Sequence, residues 1–151
     1  MWVVVPIKTL TRAKQRLASV LTPRQRAQLM ECMIEDVLDA VRATPGLAGL
    51  AVVTADARVR RIAARFNARC LPEARDVGLC GALRETAATL RREGVASMLI
   101  MPADVPLLTS SAVARVCRMH SQMAEVGAAA VTLVPATADG GTNALALSPP
   151  I

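Results

Sequence analysis

The sequence predicts a three-layer, Rossmann-like α/β fold with a mostly parallel sheet, and three observations indicate it. Short apolar segments of strand length alternate with longer segments of helical periodicity along the whole chain. The first apolar segment is unbroken, as in parallel strands that are buried on both faces. The chain has 151 residues, of which 53% are hydrophobic and 20% charged, and this is typical of a globular domain. We therefore expect residues 1–151 to form a single domain with right-handed crossovers between its strands.

The first third of the chain is predicted to form a strand, a loop, a helix and a second strand. Trp2–Pro6 is the unbroken apolar strand, and the segment Ile7–Arg16, called the basic loop below, follows it. Thr22–Gln25 has the form of a capping box with proline at the first helical position, so a helix begins there. The sequence Pro45–Gly46 ends this helix, and Leu50–Thr54 is the next apolar strand.

The middle of the chain repeats the alternation. Asp56 is the predicted N-cap of a helix that runs to about Phe66, and Ala68–Leu71 is a short third strand. The glycine-bearing loop Asp76–Leu83 opens a third helix, which ends near Glu93.

The last third begins with a strand that two prolines terminate. Pro102 and Pro106 each lack a backbone donor, so the strand Ser97–Met101 must stop there. The remaining predicted elements are a helix over Ser110–Met123, a strand over Ala128–Val134, a turn over Asp139–Asn143 and a strand over Ala144–Leu147.

Asp104 lies three residues after the end of the fourth predicted strand and is the only acidic residue between Gly94 and Ala124. Ligands of parallel α/β sheets bind outside the carboxyl ends of the strands, where a carboxylate can hold a metal against a phosphate. A simpler interpretation is also open, in which Asp104 only forms a turn or caps the helix that begins near Ser110.

Composition narrows the classes of partner. The net charge of +6 and the pI near 10.1 indicate an anionic partner. Only Trp2 and Phe66 are aromatic, which argues against nucleic acid because the stacking platforms for bases are absent. No apolar run reaches the roughly 18 residues of a membrane span, and the first residues lack the features of a signal peptide. We expect a cytoplasmic protein whose partner is a phosphorylated small molecule.

The cysteines and the histidine give no sign of a metal site. The four cysteines are scattered without a C-x-x-C pair, so we expect buried free thiols. His120 is the single histidine, and we expect it on a helix surface.

The basic loop contains the only two lysines, Lys8 and Lys14, in a chain with sixteen arginines. Since the loop has no glycine-rich phosphate motif, a phosphate would rely on these lysines, on Arg12 and Arg16, and on backbone amides. A solvated turn with lysines clustered by chance is the open alternative.

The predicted fold brings the strand ends together. Lys8, Lys14, Thr54, Asp104 and the loop around Gly78 would all lie at one edge of the sheet. Basic groups with one carboxylate suit a nucleoside triphosphate bound with Mg²⁺, since this ion takes its other ligands from phosphates and water. The glycines of that loop could equally be only turn residues.

Motifs along nearly the whole chain carry a family resemblance. In chain order they are Val5–Lys8, Arg12–Leu17, Glu35–Leu38, Gly78–Leu79 with Ala82–Leu83, Pro102–Leu107 and Gly141–Leu145. Together they resemble the CofC family of guanylyltransferases. The resemblance implies a fold of the nucleotide-diphospho-sugar-transferase type and transfer of GMP from GTP, with Mg²⁺, in coenzyme F-420 biosynthesis. The implied acceptor is 2-phospho-L-lactate, phosphoenolpyruvate or 3-phospho-D-glycerate, and pyrophosphate is released.

The resemblance also implies roles for individual residues. Asp104 would hold Mg²⁺, while Lys8, Lys14 and Arg16 would offset the charge on the leaving pyrophosphate. Thr142 and Asn143 would contact the acceptor acid. The residues that would bind the nucleotide are Pro6, Lys8, Thr54, Gly78, Leu79 and Gly81. A homodimer is left open.

The chain departs from the family pattern in two places. Cys80 stands where the family tends to have asparagine, so a weak thiol donor replaces an amide and the choice of guanine is open. Family members also continue further, so we expect a domain that is incomplete at its C-terminus and exposes an apolar edge at Leu145 and Leu147. Another nucleotidyltransferase, of the sugar-phosphate or molybdopterin type, and a nucleotide-binding pseudoenzyme are the open alternatives.

Overall fold

The computed structural model describes residues 1–73, 78–127, 129–137 and 140–151, without the side chain of Arg12. The predicted positions Asp76, Ala128 and Asp139 lie outside the described residues. The helices and strands of the described chain are β1 (Trp2–Pro6), α1 (Pro23–Arg42), β2 (Gly49–Val53), α2 (Ala57–Arg65), β3 (Arg69–Leu71), α3 (Gly78–Arg92), β4 (Met98–Ile100), α4 (Ser110–Val126), β5 (Ala130–Pro135) and β6 (Thr142–Ser148). Two short 3-10 turns, Leu10–Arg12 and Gln15–Leu17, lie within the basic loop.

The strands form one sheet in the order β3-β2-β1-β4-β6-β5. The first four of these are parallel, and β6 runs antiparallel to both of its neighbours. The prediction of a mostly parallel sheet is confirmed. The carboxyl ends of β1 to β4 and the amino end of β6 consequently lie at the same edge of the sheet.

The helices cover both faces of the sheet, which confirms the three-layer prediction. On β1, Val3 and Val5 face a core shared with α1, α2 and α4, whereas Val4 faces a core shared with α3. All three valines are 0% exposed, because successive side chains of a strand point to opposite faces and both faces are covered.

Two segments have more regular structure than the sequence predicts. Gly78 and Gly81 belong to α3 and not to a loop, although Gly78 keeps a positive φ of 66° at the start of the helix. Thr142 and Asn143 belong to β6 and not to a turn, because the pairing with β5 continues to Thr142 opposite Pro135. Tertiary contacts override the local turn preference here.

The prediction of an apolar edge at Leu145 and Leu147 is wrong. The strand that carries them, β6, lies inside the sheet between β4 and β5, and Leu147 is 7% exposed. The edge strand on this side of the sheet is β5, on which Val131 and Leu133 are exposed.

The cysteine prediction is also wrong in part. Cys32, Cys70 and Cys80 are exposed and Cys117 is partly buried, and all four are free thiols. Cysteine is usually a buried residue, but local sequence does not show which face of a helix or strand meets the core.

Among the described residues, no helix combines the length and the apolar character that crossing a membrane requires.

His120 lies in the core and not on a helix surface, which corrects the prediction made from sequence. It is 0% exposed on α4, and its Nδ1 and Nε2 lie 2.8 Å from Thr132 Oγ1 and 2.7 Å from Ser148 Oγ. The two hydroxyls are on β5 and β6, so the imidazole joins α4 to both strands. Burial lowers the pKa of His120 below its ordinary value of 6.5, since desolvation disfavours the charged ring.

We expect the free energy of unfolding to decrease as the pH falls below about 6.5. The lowered pKa means that the unfolded chain binds a proton at His120 more readily than the folded chain, so this contribution is complete above pH 6.5 and is lost below it. His120→Ala should lower the stability by about 2–4 kcal/mol at pH 7.5. Urea unfolding at pH 7.5 and pH 5 would measure both effects. A difference between wild type and variant that does not shrink at pH 5 would contradict the assignment of a neutral ring.

Candidate active site

One open cleft of about 860 Å³ lies at the sheet edge where the parallel strands end. Segments after β1, β2, β3 and β4 contribute to it, because connections that leave the carboxyl ends of parallel strands meet there. Five residues predicted from the sequence line the cleft, and they are Pro6, Lys8, Gly78, Leu79 and Asp104. The structure thus brings together residues that are up to 98 positions apart, as from Pro6 to Asp104.

An ion pair joins the basic loop to the segment after β4. Lys14 Nζ lies 3.0 Å from Asp104 Oδ2, and the two side chains are 25% and 49% exposed. Lys14 has left-handed backbone angles, φ 50° and ψ 45°, which are uncommon for a residue with a side chain and cost about 1 kcal/mol or more. The basic loop is therefore folded so that its second lysine reaches the predicted metal carboxylate.

Lys8 differs from Lys14 in having no acidic partner among the described residues. Its side chain is exposed on the wall of the cleft, two residues after the end of β1. In the part of the chain that the structure describes, no carboxylate lies within ion-pair distance of it. The Lys8 ammonium is thus available to an anionic ligand.

Other predicted site residues lie away from the wall of the cleft. Arg16 is exposed in the second 3-10 turn, and Gly81 lies two residues beyond Leu79, the last lining residue of α3. Thr142 and Asn143 are exposed at the amino end of β6, at the same edge of the sheet. Thr54 is 1% exposed, and its neighbour Ala55 lines the cleft instead.

Thr54 and Asp56 do not line the cleft, but they link the segment after β2 to the basic loop. The backbone N–H of Asp56 donates to Thr54 Oγ1 at 3.1 Å, and the Asp56 carboxylate accepts from the backbone N–H groups of Leu10 at 3.0 Å and Arg58 at 2.8 Å. Burial on its own would raise the pKa of Asp56. The backbone hydrogen bonds from Leu10, Arg58 and Val59 and the charge of Arg58 outweigh it, so this pKa is lowered.

A second carboxylate on the cleft, that of Glu73, was not among the site residues predicted from the sequence. It lies two residues after β3 and lines the cleft together with Asp104. The signal that identified Asp104, an acidic residue shortly after a parallel strand, would have identified Glu73 too.

The donor set fits a magnesium ion that is held largely by phosphates. No group of three or more metal-binding side chains occurs among the described residues, so a fully protein-built metal site is not found in that part of the chain. Asp104 is a half-exposed carboxylate with a cation, the Lys14 ammonium, already against it. Since Mg²⁺ commonly uses one or two carboxylates with phosphate oxygens and water, this is a suitable site for nucleotide-bound Mg²⁺.

Comparison with known proteins gives a consistent family match. A family model described as "Guanylyl transferase CofC like" matches residues 1–150. A phosphoenolpyruvate guanylyltransferase of Rubrobacter xylanophilus is 38% identical over 147 residues, which cover 97% of this chain and 68% of that protein. A 3-phospho-D-glycerate guanylyltransferase of Phenylobacterium zucineum is 35% identical over 142 residues, which cover 89% of this chain and 61% of that protein.

Solved structures share the fold. A crystal structure from Desulfovibrio desulfuricans, described as a nucleotide-diphospho-sugar transferase, superposes with a TM-score of 0.79 at 16% sequence identity. The superposition covers 97% of this chain and 62% of that one, so this chain spans less than two thirds of its structural relative. At this level of identity the likeness concerns the fold, and it confirms the predicted fold type.

Proposed function

Since this chain belongs to the CofC-like guanylyl transferase family, we propose that it transfers GMP from GTP to a phosphorylated three-carbon acid and releases pyrophosphate. The names of its relatives support phosphoenolpyruvate or 3-phospho-D-glycerate as acceptor, and 2-phospho-L-lactate belongs to the same chemical class. The reaction would be a step in biosynthesis of coenzyme F-420. One observation carries the proposal: Lys8 and Asp104 line the same cleft at the strand ends, and Lys14 is ion-paired to Asp104 there.

The proposed chemistry is an in-line displacement at the α-phosphorus of GTP. A phosphate oxygen of the acceptor acid forms the new P–O bond while the bond to the β-phosphate breaks, and pyrophosphate leaves with its electron pair. The protein forms no covalent intermediate in this scheme. Its contributions are to position the two substrates and to offset the charge that develops on pyrophosphate.

The two lysines differ in how they would meet the triphosphate. The Lys8 ammonium is already exposed on the wall of the cleft, so phosphate oxygens can bind it without rearrangement of an ion pair. Lys14 must first leave Asp104, which it contacts at 3.0 Å. A phosphate group of the bound nucleotide would give Lys14 a new anionic partner once Lys14 has left Asp104.

Asp104 is the residue that would hold Mg²⁺, with Glu73 as a second carboxylate among the described residues that line the cleft. When bound, the ion would supply Lewis-acid neutralisation of the phosphate oxygens. Lys14 and Mg²⁺ would compete for the Asp104 carboxylate. Once released, the Lys14 ammonium would turn to the β- and γ-phosphates.

The remaining roles follow the position of each residue at the sheet edge. Pro6, Gly78 and Leu79 line the cleft and would border the nucleotide. Thr142 and Asn143 are exposed at the amino end of β6 and would contact the acceptor acid. Cys80 is exposed in the first turn of α3, next to this lining, so its thiol would be a weak contact to guanine at best.

A nucleotide panel followed by an acceptor panel tests the proposal. Calorimetry with GTP, ATP and CTP in the presence of Mg²⁺ should give the tightest binding for GTP. Incubation with GTP and each of the three acids should then release pyrophosphate with at least one of them. Preference for CTP would indicate a different nucleotidyltransferase, and binding without pyrophosphate release for any acid would indicate a nucleotide-binding protein without the transfer activity.

A further inference from the structure

We infer that Asp56 is a positioning residue of this site: its carboxylate fixes Leu10, and thereby holds the lysines of the basic loop in place for a triphosphate. The inference rests on the proposed function for the identity of the ligand. It concerns a residue that lies outside the cleft and does not touch the reacting groups.

The first observation is that Asp56 uses both carboxylate oxygens on backbone donors from different parts of the chain. Oδ1 accepts the N–H of Arg58 at 2.8 Å, which is the ordinary N-cap bond of α2. Oδ2 accepts the N–H of Leu10 at 3.0 Å, from a residue 46 positions away. The N-cap of a helix needs only one acceptor oxygen. A carboxylate has a second acceptor oxygen, and Asp56 uses it for the bond to Leu10 while the first oxygen caps the helix.

The second observation is that Leu10 is the fixed point of the basic loop. Its side chain is 2% exposed in the core beside α1, and its carbonyl accepts the N–H of Ala13 at 3.1 Å. The residue before it, Thr9, makes no side-chain capping bond to the turn. Asp56 therefore provides an acceptor for the Leu10 N–H, which begins the first 3-10 turn. Without this acceptor, the partly buried N–H would be left unpaired.

The third observation is the place of Leu10 between the two lysines. Lys8 precedes it by two residues and Lys14 follows it by four. Ile7 N–H donates to Val53 O at 2.9 Å, so the start of the basic loop is tied to the end of β2. Of the two side-chain contacts that tie the described part of the loop to other segments, the one between Lys14 and Asp104 would open for substrate, whereas the Asp56 bond can persist throughout.

Asp56 is itself held firmly. Its backbone N–H donates to Thr54 Oγ1, and the Thr54 N–H donates to Leu71 O at 3.1 Å, which joins the end of β2 to β3. Thr54 is 1% exposed. The sheet edge therefore supports the carboxylate, and the carboxylate supports the basic loop.

Two variants separate the loop bond from the helix cap. Asp56→Ser keeps an N-cap acceptor but has a single, shorter oxygen that cannot also reach Leu10, whereas Asp56→Ala loses both bonds. Both variants should bind GTP with Mg²⁺ about tenfold more weakly than wild type, with GMP binding changed less than about twofold. Amide exchange at Leu10 should become about tenfold faster in both, while only Asp56→Ala should lose the cap contribution to thermal stability.

The direction of the change in GTP binding is an internal control. Removing a carboxylate from a chain of net charge +6 should favour an anionic ligand, so weaker GTP binding cannot come from the charge alone. Asp39→Ala removes an exposed carboxylate of α1, 63% exposed, and should leave GTP binding and Leu10 exchange unchanged.

The outcomes distinguish the inference from the proposed function. If Asp56→Ser binds GTP like wild type, Asp56 is only a helix cap and the inference is wrong. If both variants lose GTP and GMP binding equally, Asp56 supports the nucleotide site as a whole and not the triphosphate contacts, and the inference is again wrong. If the wild-type protein binds no nucleotide, the proposed function is wrong, and the inference that rests on it is wrong too. Amide exchange at Leu10 would then show only whether the Leu10–Asp56 hydrogen bond forms.

Discussion

Asp104→Asn is expected to leave the fold intact, to remove the part of GTP binding that depends on Mg²⁺, and to slow guanylyl transfer by about a hundredfold to a thousandfold. The amide keeps the shape of the carboxylate but has no charge for a divalent cation. Because Asp104 is half exposed and its one ion-pair partner in the described chain is Lys14, its replacement should cost little stability.

Thermal unfolding with GTP, in the presence and absence of Mg²⁺, measures the binding part of this prediction. Ligand stabilisation follows RT ln(1 + [L]/Kd), so wild type should show a larger shift when Mg²⁺ is added and the variant should not. Asp39→Asn, an exposed carboxylate paired only with Arg42 among the described residues, is the matched control and should behave like wild type. An undiminished shift for GTP with Mg²⁺ in folded Asp104→Asn would assign Asp104 to turn formation alone.

The same variant also tests the ion pair. Without its carboxylate partner, Lys14 is free to meet phosphate, so GTP without metal should bind Asp104→Asn at least as well as wild type. Weaker metal-free binding would mean that the Lys14–Asp104 contact itself shapes the phosphate site.

Lys8→Ala is expected to weaken GTP binding by about tenfold to a hundredfold while GMP binding changes less than about threefold. The ammonium is exposed on the cleft without an acidic partner in the described chain, so its charge is available to the β- and γ-phosphates, which GMP lacks. Calorimetric titration with both nucleotides measures the ratio directly.

Arg16→Ala is the matched control for this second experiment. It removes a positive charge from the same loop, but Arg16 is exposed outside the lining of the cleft, so GTP binding should fall by no more than about threefold. Equal losses for GTP and GMP in Lys8→Ala would place that lysine away from the terminal phosphates. A larger loss in Arg16→Ala would mean that the loop closes further over the nucleotide.

Local sequence patterns were sufficient to predict the order of the elements and several positions at the cleft. Helix caps such as Thr22 and Asp56 were predictable because capping depends on neighbours within one turn. Lys8 and Asp104 were predictable because a residue shortly after a parallel strand must lie at the sheet edge, whichever strands are neighbours.

The contacts between distant segments could not be predicted in this way. The Lys14–Asp104 ion pair and the Leu10–Asp56 hydrogen bond join residues 90 and 46 positions apart. The burial of His120 depends on two strands that follow it, and the insertion of β6 between β4 and β5 protects Leu147. Periodicity and capping report forces between residues within a few positions, whereas strand order, register and the path of a loop are set by the packing of the whole chain.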